Sequence, residues 1–271
     1  MFLPENIDLG KSEKYILSLR VKPNGFMFSI TDPDMGNNYC LRETTFRPGD
    51  DLLTNVQRII FDFNFLTQIF RQTNVVIVSK DYEMVPAEFY DKKKQQNFYD
   101  FTHTNKSGHI QSALFERQDI VMLYNIEDDL FSFLSRNLWN PHFFHHSQLL
   151  INTFEEKARI SGEGNKMFVN FHTDFTDVIC FQGATLLHSL TYENEPPANT
   201  LYYILKIWEQ CGFDQMNDTL YLAGKADSRL SEKLYQYINN IEIIGLPQEI
   251  HFWSEDARKA PLDLLSLSLP L

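Results

Sequence analysis

The sequence is short of cysteine, of basic charge and of long apolar runs, and each shortage removes a class of protein. Only three cysteines occur in 271 residues, Cys40, Cys180 and Cys211, and no CxxC is present. So sparse and odd a set makes neither a disulfide framework nor a zinc site, and no pairing among the three is readable. Each thiol reads as a small buried hydrophobe in a reducing setting. Lys and Arg number 24 against 36 Asp and Glu, a formal charge of −12. A nucleic-acid backbone or an anionic membrane is met with clustered cations, so no nucleic-acid partner is expected. No apolar stretch approaches the ~18 residues that span a bilayer, so no membrane insertion is expected either. The opening Met1-Phe2-Leu3-Pro4-Glu5-Asn6-Ile7-Asp8 has no basic stretch followed by an apolar one, which predicts a cytoplasmic protein without a secretory signal. G-x-S-x-G, Walker A and H-E-x-x-H are all missing.

What is present is a folded chain, 43% hydrophobic and 22% charged, able to offset its ordering entropy by burial. Its pattern occurs twice. Tyr15 to Val21 alternates apolar and polar residues as a half-buried strand does. Lys22-Pro23-Asn24-Gly25 is a turn, and Phe26 to Asp32 returns as a second strand. A further turn leads to a third strand, Tyr39 to Phe46. Pro48-Gly49-Asp50 then starts a helix, with Leu52, Leu53, Val56, Ile59, Ile60, Phe63, Leu66 and Phe70 at helical spacing. Asn74-Val75-Val76-Ile77-Val78-Ser79 is a β-branched run, the mark of a central strand with parallel neighbours. A helix around Pro86–Tyr99 and strands around Ala113–Glu116 and Asp119–Asn125 complete the first copy. Glu127 to Arg159 reads as two helical pieces broken at Trp139-Asn140-Pro141, and Ser161-Gly162-Glu163-Gly164-Asn165 as a linker.

The second copy begins about 150 residues after the first. Its strands are Met167–His172, Asp177–Gln182 and Ala184–Tyr192, with Thr173-Asp174-Phe175-Thr176 as the first turn. Pro196-Pro197 opens a helix that Gly212 stops, and Thr219–Ala223 is the next buried strand. Leu230, Leu234, Tyr237, Ile238 and Ile241 share one face of a last helix, and Glu242–Leu246 closes as a strand. Both copies thus read β-β-β-α-β-α-β, over 1–160 and 161–271.

That element order resembles a ribonuclease-H-like half. Two in tandem resemble the actin-like ATPase arrangement of an α/β protein. Leu220-Tyr221-Leu222-Ala223-Gly224-Lys225-Ala226-Asp227-Ser228 and the ending Pro261-Leu262-Asp263-Leu264-Leu265-Ser266-Leu267-Ser268-Leu269 are similar to an uncharacterised Bacteroidetes family of unknown function with that fold. Nucleotide-binding members of the actin-like group use two D-x-G hairpin turns, which cradle phosphates and hold Mg²⁺ through water, and a Gly-rich strand-to-helix turn for adenosine. Against these, the first turn here, Arg20 to Gly25, has no carboxylate and contains Pro23. Lys22 offers a charge for phosphate, though a turn lysine is ordinarily solvated. The second turn keeps Asp174 and Asp177 but has Phe175 and Thr176 where glycine is wanted. The third has the single glycine Gly224, with Asp227 or Ser228 able to cap the following helix.

The candidate cofactor residues are therefore Asp174, Gly224 and Asp227, as remnants of nucleotide loops. The expected protein is a degenerate actin-like scaffold without a cofactor, holding a protein or peptide partner. The alternative is an ATPase or kinase-like phosphotransferase using ATP and Mg²⁺. A ribonuclease-H-like nuclease is third, since Ser18, Arg20, Asn170 and His172 on the first strands make no two-metal carboxylate pair. His142-Phe143-Phe144-His145-His146 offers an H-x-x-H pair for a metal if helical, but no third ligand follows from spacing. Lys92-Lys93-Lys94 reads as a solvated face. Phe61, Phe63, Phe65 and Phe70 cannot share one helix face, so some must meet another element, most simply an interface between halves of this chain.

Overall fold

The computed structural model describes residues 7–35, 38–103, 108–173, 175–193, 197–224, 227–245 and 254–268. They fall into two compact units, one of residues 1–149 and 246–271, the other of residues 150–245.

In the first unit, β1 (Ile16–Lys22), β2 (Gly25–Thr31) and β3 (Tyr39–Thr45) form an antiparallel meander. Helix α1 (Leu52–Asp62) follows, and Asp51 caps it by accepting from the Thr54 amide at 2.6 Å. β4 (Gln72–Ile77) then lies parallel to β1, with Val75 and Val76 fully buried. β5 (Tyr82–Pro86), α2 (Gln95–Thr102), β6 (His109–Phe115) and β7 (Ile120–Ile126) come next, followed by α3 (Asp128–Asn137) and β8 (Pro141–His145). β8 pairs parallel with β4 on the side away from β1, giving a sheet ordered β3-β2-β1-β4-β8. The β-branched run is thus a central strand between parallel neighbours, as its composition requires.

Several details differ from the sequence reading. Helix α1 stops at Asp62, because Phe63 leaves helical geometry at φ −113 and ψ 63 and a 3₁₀ turn, Asn64–Thr67, follows. The break aims Phe63 and Phe65 at Phe28 of β2, at 6.1 and 5.7 Å between ring centres. Phe61 meets Phe133 of α3 edge-on. These aromatics therefore find their partners inside the first unit. The strands expected at 113–125 do not end the first sheet; they form a separate three-stranded sheet, β5-β7-β6, that packs Val85, Ile110, Val121 and Leu123 with Tyr99 of α2. The true fifth strand is β8, hidden at the break between the two helical pieces, where Asn140 takes a positive φ of 43°.

The last described segment also belongs to the first unit, although sequence order attached it to the second half. α7 (Glu255–Lys259) and α8 (Leu262–Ser266) pack on β3 and the first sheet through Ala257, Ala260, Leu264 and Leu265. Ser254 donates to the Tyr39 carbonyl at 2.6 Å, and Asp256 pairs with Arg42 at 2.7 Å.

The unit boundary falls within α4 (His146–Ile160). The second unit repeats the first sheet. β9 (Asn165–Phe171), β10 (Phe175–Gln182) and β11 (Thr185–Glu193) are antiparallel. α5 (Pro197–Gln210) leads to β12 (Thr219–Gly224), and α6 (Ser228–Leu234) to β13 (Asn240–Ile243), both strands parallel in the order β11-β10-β9-β12-β13. Met167, Val169, Val178, Leu220 and Leu222 face α5 and α6. Strand alternation turns Phe168 and Tyr221 to the other face, where Phe154 of α4 stacks on Phe168 and Phe168 on Tyr221, each at 4.7 Å. α6 is shorter than its apolar spacing suggests. It ends at Leu234, and Ile241 of the expected helix face lies in β13.

Candidate functional site

In an α/β sheet, ligands gather where parallel strands end, because loops there leave the sheet and backbone donors are unpaired. In the second unit that edge is formed by the end of β9, the hairpin to β10 and the end of β12. Gly224 pairs across the ladder with Phe171, the last residue of β9. Its φ of +75° is a conformation that only glycine adopts without strain, and a Cβ there would stand 2.4 Å from the Phe171 carbonyl oxygen. Gly224 is therefore required by the backbone geometry alone. Asp227 caps α6, its carboxylate accepting from the Arg229 amide at 3.0 Å. The fold thus carries Gly224 and Asp227 on the strand-to-helix turn beside the end of β9. Asp174, in the hairpin that follows β9, lies outside the described residues.

The β9–β10 hairpin holds a network that spacing alone does not reveal. Asn170, Asp177 and Thr191 stand opposite one another across β9, β10 and β11, so their side chains share one face of the sheet. His172, two residues beyond Asn170, projects on that same face. Its Nε2 lies 2.7 Å from the Asp177 carboxylate and 2.7 Å from the Asn170 amide nitrogen. Thr191 donates to the other Asp177 oxygen at 2.8 Å. Asp177 is 1% exposed, so these contacts stand where water would otherwise solvate the carboxylate. The His172 ring stacks on Phe175 at 4.2 Å, and the His172 amide donates to the Phe175 carbonyl at 3.0 Å. The sequence signals a hairpin after Phe171 but not its register, and the register is what sets residues 170 and 177 opposite each other.

A hairpin that cradles a phosphate turns amides outward and leaves a carboxylate to hold the waters of a cation. Here each oxygen of the Asp177 carboxylate has a side-chain partner, and the rings of His172 and Phe175 on either side of the turn stack on each other. In the first unit, the corresponding hairpin carries Pro23, which has no amide donor. Lys22 is paired with Glu43 at 2.8 Å. Arg20, earlier in β1, is buried and pairs with buried Asp263 at 2.7 Å.

The other sequence candidates are placed plainly. His142 to His145 lie in strand β8 rather than a helix, and His146 begins α4, so His142 and His145 project to opposite faces and cannot form an H-x-x-H pair. His145 is buried against Tyr82 and Tyr124, each at 5.2 Å. Lys92, Lys93 and Lys94 are exposed on a 3₁₀ turn, as expected of a solvated face. Among the described residues, no helix is long and apolar enough to cross a membrane.

Comparisons with known proteins agree with this architecture. A family model described as "Protein of unknown function (DUF3822)" matches residues 4–241. A crystal structure from Bacteroides thetaiotaomicron VPI-5482, described as a protein with actin-like ATPase fold and unknown function, superposes with a TM-score of 0.84 at 25% identity. That match covers 97% of this chain and 98% of the other. A structure described as the PilM-PilN type IV pilus biogenesis complex superposes with a TM-score of 0.62 at 11% identity, over 94% of this chain and 97% of that one. Comparison with curated proteins returned no match. The fold is therefore the actin-like ATPase fold, with a ribonuclease-H-like sheet order in each unit.

Proposed function

The chain belongs to this family of proteins of unknown function, and from that premise we propose that it is an actin-like protein that turns over no nucleotide and serves as a scaffold for a protein or peptide partner. The observation that carries the reading is the second hairpin. Its carboxylate Asp177 is buried and bound by His172 and Thr191, and the His172 ring stacks on Phe175. The first hairpin supports it, with a proline in the turn and Lys22 held by Glu43. A fold alone fixes no activity, so the reading rests on these side chains. The PilM-PilN structure lends support by analogy, as an assembly in which this fold occurs. The contrary reading, ATP and Mg²⁺ bound by Asp174, Gly224 and Asp227, draws on the glycine turn at the end of β12, but that glycine already has a sufficient cause in its approach to Phe171.

The test is thermal unfolding of the whole chain with and without millimolar Mg-ATP. A ligand at about 100 times its Kd adds about 2.7 kcal/mol, which for a chain of this size moves the midpoint by about 5–10 °C. The scaffold reading expects no resolvable shift and no phosphate release. A shift of that size, or steady ATP hydrolysis, overturns it.

A further inference from the structure

The small sheet β5-β7-β6 of the first unit ends at β6, and among the described residues no strand pairs with the outer side of β6. Helix α2 crosses this sheet. Its first residue, Gln95, donates from Nε2 to the Ile110 carbonyl of β6 at 3.1 Å, and its last, Thr102, donates to Glu83 of β5 at 2.6 Å. The Ile110 carbonyl thus points away from β7. Backbone direction alternates along an antiparallel strand, so Ser112 and Leu114 also turn an amide and a carbonyl outward. Both side chains are exposed, Leu114 at 57%. Side-chain alternation sets them with buried Ile110 on the face that carries α2. Sheet edges are ordinarily blunted by proline, by lysine or by a covering element, and β6 has neither residue within it.

Lys92, Lys93 and Lys94 lead into α2, so they stand at the β6 end of the helix, and all three are exposed. Lys94 lies 3.9 Å from Asp91, while among the described residues no ion pair engages Lys92 or Lys93. The helix has no side-chain cap at its N-terminus and no acidic residue in its first turn. That positive end of the helix dipole disfavours the lysines and favours an arriving carboxylate.

We infer that the outer edge of β6 is a docking site for an extended acidic segment of a protein partner, which adds a strand to the sheet. The backbone of the segment bonds Ser112 and Leu114. On the α2 face it sets a carboxylate beside Ile110, within reach of Lys92 and Lys93, and an apolar side chain beside Leu114. Ile110 and Leu114 are about 13 Å apart along the strand, so these two side chains lie about four residues apart in the segment. The net charge of −12 repels an acidic segment from most of the surface and leaves the lysine cluster to receive it. The inference rests on the scaffold reading, and the two fail separately. ATP hydrolysis overturns that reading whatever a peptide does, and an unbound peptide overturns this one whatever ATP does.

The probes are two fluorescein-labelled peptides that alternate threonine with two glutamates and then two valines, one in each order so that both strand directions are covered. Fluorescence anisotropy with the full chain should show saturable binding of one order, weakened by salt. Replacing the glutamates by lysine, or methylating the peptide nitrogens that face β6, should abolish it. Lys92→Glu/Lys93→Glu should weaken binding at least about fivefold. Ser112→Pro removes an outward amide at a position where an edge strand accepts proline, and should weaken binding likewise. If that variant misfolds, the lysine variant and the wild-type chain still decide the matter. Hydrogen exchange of the wild-type chain should show the peptide slowing the Ser112 and Leu114 amides and leaving Ala113 and Phe115, already in the ladder, unchanged. No binding of either order, equal binding of the lysine peptide, unchanged affinity of the lysine variant, or protection away from β6 would overturn the inference. So would a chain that sediments as a dimer with Ser112 and Leu114 already protected, which places a second copy on this edge.

Discussion

Removing one charge of the buried pair between β1 and α8 should unfasten the end of the chain from the first sheet. Arg20 Nε donates to Asp263 Oδ2 at 2.7 Å, with the two side chains 3% and 2% exposed. Asp263 also lies in the first turn of α8, accepting from the Leu264 amide at 2.9 Å, and its carbonyl accepts from the Ser266 hydroxyl. Asp263→Ala leaves a buried guanidinium without its carboxylate, a change that costs about 3–5 kcal/mol. For a chain of this size each kcal/mol lowers the midpoint by about 2–4 °C, so calorimetry should show a fall of about 10 °C. The pair itself is worth much less than the cost of breaking it, because both ions were taken out of water to make it. The double variant Arg20→Met/Asp263→Leu should therefore recover at least about 2 kcal/mol of the single variant's loss. Urea unfolding of the four members of the cycle measures this directly. An Asp263→Ala loss below about 1 kcal/mol, or a double variant no better than the single, would refute the reasoning.

Three further outcomes follow from the same contacts. Gly224→Ala sets a side chain both at positive φ and against the Phe171 carbonyl, and should cost at least about 2 kcal/mol in urea unfolding, whereas Gly183→Ala, at φ 59° in open space, should cost about 1 kcal/mol; equal losses would contradict the close approach. Phe168→Ala empties the place between Phe154 and Tyr221 and should cost about 3–5 kcal/mol, with a loss under about 1 kcal/mol arguing against the stack. Burial pushes the Cys40 thiol up to about 11, so at pH 8 it stays protonated, and iodoacetamide should label it only near pH 11 or on unfolding; rapid labelling of native protein at pH 8 would show the thiol to be accessible.

The repeated strand order was legible because its signals are local. The Val75-Val76-Ile77 run identifies a strand covered on both faces. Lys22-Pro23-Asn24-Gly25 identifies the hairpin that sets the register of β1 against β2. The elements missed have no such local mark. β8 has five residues, and its histidines interrupt the apolar pattern that would have shown a strand between two helices. The end of α1 is decided by where Phe63 and Phe65 find Phe28, a tertiary contact that overrides the helical spacing. The attachment of Ala257, Leu264 and Leu265 to the first unit depends on sheet surface formed more than 200 residues earlier, as the Arg20–Asp263 hydrogen bond shows by its sequence separation of 243. Of the turn after β12, the glycine Gly224 and the helix cap Asp227 were readable from the local sequence. The His172–Asp177 contact was not, since it exists only once the hairpin sets Asn170 opposite Asp177.

The two hairpins that correspond in the repeated sheets reach one chemical condition by different means. In the first, a surface lysine is balanced by Glu43 on the neighbouring strand, and the interior arginine of β1 by a carboxylate from the end of the chain. In the second, the carboxylate lies inside, balanced by an imidazole on the adjacent strand and a hydroxyl on the next. An ion-binding hairpin keeps charge and backbone donors available to something outside the protein. In both hairpins here the charged side chains Lys22 and Asp177 have partners in the same unit, and around the buried Asp177 low local dielectric makes each contact costly to break. Freeing Asp177 to hold the waters of a cation would first take that carboxylate from His172 and Thr191. The sheet order is therefore kept in both units, while the hairpin charges are balanced differently in each, by Glu43 in the first and by His172 and Thr191 in the second.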